Sequence, residues 1–316
     1  MSVAHYTDMS RFVRRSSLIF PVNVPRFVEK AHTRGADCLV LDLEDSVPMS
    51  EKEAARVLVK DAIAKVGRGG SDVSVRINKP IEMAIKDLEA SVWPGLICVS
   101  CPKMESAAEV RLLAELITKL ESDRGIRQGA IQMAVAVETA KGVINAYEIA
   151  SASPRVVTLG VGTEDLCREM GIETTKEGRE LFYSNTKIII DAHAAGVQPT
   201  GLMGVDPFTW TDPEAVYQAA VQCRKMGFKG ASSVHPAPIP HLNRGFSPTP
   251  EEVDYARRAI AAFEEGVRKG TASVALEGRM VDIATVERCR NILNRADAIA
   301  QLEARKAAAL KALGGV

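Results

Sequence analysis

Residues 132–165 read QMAVAVETAKGVINAYEIASASPRVVTLGVGTED, and the fold turns on this stretch. Two apolar runs, Gln132–Val137 and Val156–Val161, are short, rich in valine and bounded by turn signals, so they read as strands. Strands that are apolar at nearly every position are buried on both faces, as in a parallel sheet covered by helices. Each run is followed at once by polar residues, Glu138-Thr139 and Gly162-Thr163-Glu164-Asp165.

Working outward, similar runs appear at Leu18–Val22, Cys38–Leu43, Val73–Ile77, Leu96–Ser100, Gln198–Met203 and Gly230–Val234. Amphipathic stretches of helical length lie between them, including Glu51–Ala64, Ala107–Leu120, Lys176–Ala195 and Pro213–Met226. Eight such units in about 235 residues predict a closed (β/α)8 TIM barrel. The rival is a doubly wound open sheet. That fold usually announces G-x-G-x-x-G after its first strand, whereas here the first strand ends in Pro21-Val22-Asn23. The pattern changes after His235, where prolines at 236, 238, 240, 248 and 250 punctuate a loop. A capped helix is expected from Thr249-Pro250-Glu251-Glu252, and a final helix from Ile283 to Leu313. The expected organisation is a barrel over residues 1–245 and a C-terminal helical extension over 246–316.

The chain has 316 residues, 46% hydrophobic and 25% charged, enough to bury a large core. Forty basic residues balance forty acidic ones and aromatics are only 5%, which leaves no footprint for nucleic acid. The longest apolar runs are far too short for a membrane span, and no signal-peptide core follows the basic residues near the N-terminus. The six cysteines are scattered, as in a reduced compartment, so a cytoplasmic protein is expected. Cys98 and Cys101 stand three apart on a strand, so they point to opposite faces and do not form half a zinc site.

In a TIM barrel the active site lies at the C-terminal ends of the strands. Seven of the eight ends here carry functional side chains: Asp42-Leu-Glu44-Asp45, Arg76-Ile-Asn78, Pro102-Lys103, Glu138-Thr139, Gly162-Thr163-Glu164-Asp165, Asp206-Pro207 and His235-Pro236. Each alone reads equally well as a helix cap or a surface charge; the set does not. Glu138 and Asp165 come from neighbouring strands and can share a hard divalent cation such as Mg²⁺, with substrate and water completing the octahedron. Glu44 and Asp45 would stand behind them and hold metal-bound waters. Asp45 reads alternatively as an ion-pair partner of Arg14, Arg15 or Lys103. Arg76 offers a bidentate cation to a carboxylate or enolate. Lys103 could act similarly or pair with Glu44, and His235 is either a base or a hydrogen-bonded structural histidine. Gly67-Arg-Gly-Gly70 precedes a strand, on the wrong face for a phosphate cradle, and reads as a flexible loop. Gly160-Val-Gly162 reads as a place where a ligand or backbone comes close.

At this point the motifs become recognisable. Arg15-Ser-Ser-Leu-Ile-Phe-Pro, Leu41-Asp-Leu-Glu-Asp-Ser-Val47, Val75-Arg-Ile-Asn78, Pro102-Lys-Met-Glu105, Val137-Glu-Thr-Ala-Lys-Gly142, Gly162-Thr-Glu-Asp-Leu166, Val234-His-Pro236, Phe246-Ser-Pro-Thr-Pro250 and Glu277-Gly-Arg-Met-Val-Asp282 run in order through the chain. Together they resemble the citrate lyase β-subunit-like family of Mg²⁺-dependent acyl-CoA lyases, which includes malyl-CoA and citramalyl-CoA lyases. The resemblance implies a homotrimeric or homohexameric barrel, with Glu138 and Asp165 as ligands of Mg²⁺ (or Mn²⁺). It implies that Arg76, Lys103, Gly162, Thr163, His235 and Pro236 contact an acyl-CoA or 2-oxo acid substrate. It also implies that Asp282, in the extension, is a catalytic acid reaching a neighbouring subunit's active site. The reaction implied is reversible cleavage of a 3-hydroxy-3-carboxyacyl-CoA into an acyl-CoA and a 2-oxo acid through a thioester enolate. The chain departs from the family at Val22, where a glycine is usual; a valine narrows the expected CoA entrance or alters the acyl carrier. Two other readings stand beside this one: a class II aldolase acting on a free 4-hydroxy-2-keto acid, and a barrel that binds a metabolite without turning it over.

Overall fold

Leu39, Leu41, Val73, Val75, Val99, Met133, Val135 and Leu159 project from successive strands into one buried cluster shared with the surrounding helices. They do so because alternate strand residues face opposite ways. The computed structural model describes residues 12–175, 178–204 and 211–314. The chain forms two compact units: residues 14–246 with 306–314, and residues 12–13 with 247–305.

In the first unit eight strands form one sheet: β1 (Ser16–Pro21), β2 (Cys38–Asp42), β3 (Asp72–Arg76), β4 (Cys98–Cys101), β5 (Gln132–Val137), β6 (Val156–Val161), β7 (Gln198–Thr200) and β8 (Ala231–Ser233). Their order is β7-β6-β5-β4-β3-β2-β1-β8, and every pairing is parallel. A parallel bridge between Thr200 and Gly230 joins the two edges, so the sheet closes into the expected barrel. The helices are α1 (Pro25–Ala31), α2 (Lys52–Gly67), α3 (Ile81–Ser91), α4 (Ala107–Asp123), α5 (Ala140–Ile144), α6 (Ala146–Ala150), α7 (Thr163–Met170), α8 (Phe182–Ala194), α9 (Pro213–Met226) and α10 (Ile239–Gly245).

Helix α3 escapes a reading by apolar periodicity. Its buried face is Ala84, Asp87, Leu88 and Ser91, while Ile81 and Ile85 are exposed. The glycine run ending in Gly70 is a packed turn rather than a flexible loop, since a Cβ on Gly69 would lie 2.4 Å from the His32 carbonyl oxygen. Cys98 and Cys101 are both free and buried. Cys98 accepts a hydrogen bond from Arg14, whereas Cys101 belongs to the apolar cluster.

The second unit contains α11 (Pro250–Arg268), β9 (Val274–Leu276), β10 (Arg279–Val281) and most of α12 (Ile283–Ala312). Helix α11 begins with the capping box that Thr249 and Glu252 announce. The hairpin between β9 and β10 turns on Glu277 and Gly278, both at positive φ, as a two-residue primed turn requires. No described helix is long and apolar enough to cross a membrane.

The expected pairing of Asp45 with Arg14 or Arg15 does not occur. Both arginines precede β1, at the opposite end of the barrel from the strand tips. Arg15 gives three hydrogen bonds of 2.8 Å to Asp37, from its backbone amide, Nε and Nη2. Lys306 adds a fourth at 3.1 Å. Burial opposes the Asp37 charge, but Arg15 and Lys306 more than offset it and hold the carboxyl below its usual range. Arg14 pairs with Asp72 at 3.5 Å. Asp37→Asn leaves two buried cations short of a counter-charge and is expected to cost about 3–5 kcal/mol of stability, read as a lower chemical-denaturation midpoint. Because the folded pKa is depressed, this stabilisation is present at neutral pH and is lost as pH falls through the folded value. The wild-type advantage should therefore shrink in acid.

Candidate active site

Strand alternation builds the site. In β3, Val73 and Val75 face the helices, so Ser74 and Arg76 face the barrel interior. Arg76 pairs in register with Asp42, the last residue of β2. Its Nε and Nη2 donate to the two Asp42 oxygens at 2.7 Å each, a bidentate fork. Asp42 is wholly buried and also accepts the Glu44 and Ser46 amides at 3.0 Å. Burial works against its charge, yet Arg76 and these donors lower its pKa. Arg76 Nη1 reaches Glu44 Oε2 at 3.0 Å and lies 4.0 Å from Asp45.

Lys103 follows β4 with φ +54°, a left-handed conformation uncommon for a residue with a Cβ. The turn delivers Nζ to 2.6 Å from Glu44, 3.3 Å from Asp45 and 3.6 Å from Asp165. The ion-pair reading of Lys103 is therefore realised, and it is Lys103, with Arg76, that faces Asp45. Burial and the neighbouring Asp45 charge raise the Glu44 pKa despite these cations.

Glu138 directly follows β5, and Asp165 stands in the first turn of α7, after β6. The two carboxyls hydrogen-bond to each other. Glu138 is only 7% exposed. Burial, the contact with Asp165 and the charge of Glu44 push its pKa up to about 8. Burial also disfavours the Asp165 charge, but the hydrogen bond from Glu138, together with Lys103 and Arg168, keeps that carboxyl below its usual range. Gly162 makes the approach possible: a Cβ there would sit 2.6 Å from Glu138 Cγ and 2.8 Å from Cδ. The close neighbour is thus the Glu138 side chain, where a ligand or backbone was expected. Gly162→Ala is expected to displace Glu138 and weaken divalent-cation binding by about 10–100-fold. Calorimetric titration of Mg²⁺ into the variant checks this, and an unchanged affinity would refute it.

Glu138, Asp165, Gly162, Thr163 and Arg76 share one cavity of about 270 Å³ that opens at the strand tips and runs into the barrel. His235 and Pro236 are not among the described residues lining it; His235 Nδ1 accepts the Ala237 amide at 3.1 Å. Asp206 and Pro207 lie outside the described residues. Asp282 belongs to the second unit, where it heads α12 and accepts the Thr285 amide at 2.9 Å. The strand-end reading assigned no role to Asp42. The signal was present, because Asp42 closes β2, but adjacent Glu44 and Asp45 masked which acid turns inward.

The residues present fit a hard divalent cation. The ion-pair network holds five carboxylates (Asp42, Glu44, Asp45, Glu138, Asp165) and three cations (Arg76, Lys103, Arg168). Carboxylates outnumber cations there, and burial with the neighbouring Asp165 and Glu44 favours the protonated form of Glu138 when no cation is bound. No described group of three or more His, Cys, Asp or Glu is arranged to hold a metal. A cation here would take two protein oxygens and leave its other positions to substrate and water, as Mg²⁺ prefers.

The family model for HpcH/HpaI aldolase/citrate lyase matches residues 15–236. The chain is 35% identical over 287 residues to the citrate lyase subunit beta of Leuconostoc mesenteroides subsp. cremoris, covering 90% of this chain and 94% of that one. It is 34% identical over 291 residues to the (3S)-malyl-CoA thioesterase of Cereibacter sphaeroides, covering 92% and 97%. Among solved structures it resembles the Mycobacterium tuberculosis protein CitE in complex with magnesium, acetoacetate and coenzyme A. That match has a TM-score of 0.71 and 29% identity, covering 91% of this chain and 99% of that one. A closed barrel carrying paired carboxylates, an arginine fork and this degree of likeness leaves one assignment: the chain is an enzyme of the HpcH/HpaI aldolase/citrate lyase family, a family of carbon–carbon lyases.

Proposed function

We propose that the protein is a Mg²⁺-dependent lyase that cleaves a 3-hydroxy-3-carboxyacyl-CoA of the malyl, citramalyl or citryl type, giving an acyl-CoA and a 2-oxo acid. One observation carries the reading: two carboxyls from adjacent strand ends meet in a cavity where Gly162 leaves room for nothing bulkier beside them. Glu138 and Asp165 hold the cation. When bound, it supplies Lewis acidity toward the hydroxyl and carboxylate of the departing 2-oxo acid. The first turn of α7 carries no side-chain cap, and Thr163 and Glu164 line the cavity. Its backbone amides and helix dipole suit the substrate carboxylate. As the C–C bond breaks, the hydroxyl loses its proton to water and becomes the keto oxygen of the 2-oxo acid, and the bond's electron pair stays on the thioester fragment as an enolate. Arg76, fixed by Asp42, places a preorganised charge where that oxygen becomes negative. Asp42 thereby acts through Arg76 and not on the substrate.

The reading assigns protonation of the enolate carbon to Asp282, supplied by the C-terminal unit of a neighbouring copy in a homo-oligomer. Incubation with malyl-, citramalyl-, β-methylmalyl- and citryl-CoA tests the proposal, with release of 2-oxo acid followed with and without Mg²⁺. Metal-dependent release from at least one is expected. Turnover only of a free 4-hydroxy-2-keto acid would transfer the site to the aldolase reading. The likeness to a malyl-CoA thioesterase favours one further activity, hydrolysis of the same thioester. Appearance of free thiol in the same assay reports it.

A further inference from the structure

Lys52 opens α2, and its side chain breaks two rules at once. A cation at a helix N-terminus meets the positive end of the helix dipole, and a buried ammonium usually has a carboxylate partner. Lys52 is 7% exposed, and among the described residues it forms no ion pair. Burial lowers its pKa, although Asp42, Asp87, Glu44 and Asp45 lie near enough to oppose the shift. Its Nζ instead donates to two backbone carbonyls, those of Leu43 at 2.7 Å and Glu44 at 2.6 Å. Carbonyls of consecutive residues that converge on one point repel each other unless a cation sits between them. An ammonium, compact and with three rotatable donors, can do so.

The clamp is braced from behind. The Leu43 carbonyl oxygen also accepts Asn78 Nδ2 at 2.9 Å. Asn78 is held by Asp87 of α3, whose Oδ2 accepts both its backbone amide and its Nδ2 at 2.7 Å. Asp87 Oδ1 in turn accepts Arg56 Nε at 2.7 Å, and Arg56 stands one turn after Lys52 on α2. This brace accounts for the buried aspartate on α3. None of Lys52, Arg56, Asn78 and Asp87 lines the cavity. What they hold is the peptide that carries Glu44. The Glu44 amide donates to Asp42 at 3.0 Å, its Oε1 lies 2.6 Å from Lys103 and its Oε2 3.0 Å from Arg76.

Resting on the function proposed above, we infer that Lys52, braced by Asn78 and Asp87, is a positioning residue for the reaction. It fixes the Leu43-Glu44 backbone so that Glu44 stays between Arg76 and Lys103 and Asp42 stays in its fork with Arg76. Lys52 does not touch the substrate. Removing its ammonium frees two carbonyls to diverge, and Glu44 turns with them.

Lys52→Met keeps the length of the side chain and removes its charge. With the acyl-CoA that the wild type cleaves, kcat is expected to fall by about 10–100-fold with KM little changed. Lys52→Arg, which keeps the charge and the donors, is expected to recover most of the loss. In a Glu44→Gln background Lys52→Met should cost much less than in the wild type, because the group it orients has already lost its ion pairs. A crystal structure of full-length Lys52→Met should show Glu44 moved off Lys103, and needs no turnover to do so. A lower thermal midpoint with wild-type kcat would reduce Lys52 to a stabilising residue and overturn the inference, as would additive losses in the double variant or an unmoved Glu44 in the crystal. If the wild type cleaves no acyl-CoA, the lyase reading fails while the crystal structure still decides the clamp. Should Lys52→Met not fold, Lys52→Gln, which can still donate to one carbonyl, carries the same measurements.

Discussion

Glu138→Ala is expected to abolish metal-dependent release of 2-oxo acid, by about 10³-fold or more in kcat/KM, since a metal's charge stabilisation is worth several kcal/mol. The loss should come with loss of Mg²⁺ binding and not with loss of fold, because Glu138 lies at the strand tips, outside the apolar cluster. The wild-type pH dependence separates the ligand role from a merely structural one. Without metal the Glu138 carboxyl is pushed up to about 8 by burial, by Asp165 and by the Glu44 charge. A cation must displace that proton, so Mg²⁺ affinity should rise with pH and level off above about 8. The sign for stability is the reverse. A folded pKa above the unfolded one contributes stability that is fully present below the unfolded value and is lost as pH rises through the folded value. The metal-free protein should therefore lose thermal stability toward pH 8, and the gain in Tm from Mg²⁺ should grow over the same interval. Glu138→Gln, which cannot ionise, should flatten both trends. Unchanged Mg²⁺ affinity in Glu138→Ala would end the metal assignment.

Arg76→Lys is the second large effect. Lysine keeps the charge but not the fork, and two bonds of 2.7 Å from Arg76 to Asp42 are what fix the guanidinium. The ammonium would satisfy one Asp42 oxygen at best and leave the other to its Glu44 or Ser46 donors alone, with the guanidinium fork gone. We expect kcat to fall by about 10²–10³-fold, the usual cost of removing one preorganised donor at a developing oxyanion. KM should change much less, since the charge needed for the ground-state acid is retained. A change in KM alone would place Arg76 in substrate binding and not in stabilisation of the enolate. Asp42→Asn keeps the side-chain size but turns one of the two accepting oxygens into an NH2 donor, so one prong of the fork and the charge are lost. It should lower kcat in the same direction and by less, as expected for a residue that acts by holding Arg76.

The barrel and the polar strand ends were legible in the sequence because both rest on local chemistry. Strand runs at 132–137 and 156–161 are the observed β5 and β6 residue for residue. Helix α9 runs from Pro213 to Met226 as its pattern requires, and Thr249 with Glu252 caps α11 as their spacing announces. Such signals act within a few residues, so a linear reading recovers them. Glu138 and Asp165 were legible for a related reason: each immediately follows a strand, and all strand ends of a parallel barrel emerge on one face.

Only the tertiary structure decided what those ends do to one another. Arg76 and Asp42 are 34 residues apart, and Lys103 and Glu44 are 59 apart. Whether they meet depends on barrel register, which no local pattern encodes. A strand buried on both faces also conceals which of its residues point inward, because apolar side chains suit either side. For that reason the sequence did not reveal that Ser74, Ser100 and Thr158 line a common hollow. The sequence fixes which chemistry is available at the rim; packing around the barrel fixes which carboxyl keeps its proton, which arginine is locked and what space is left beneath them.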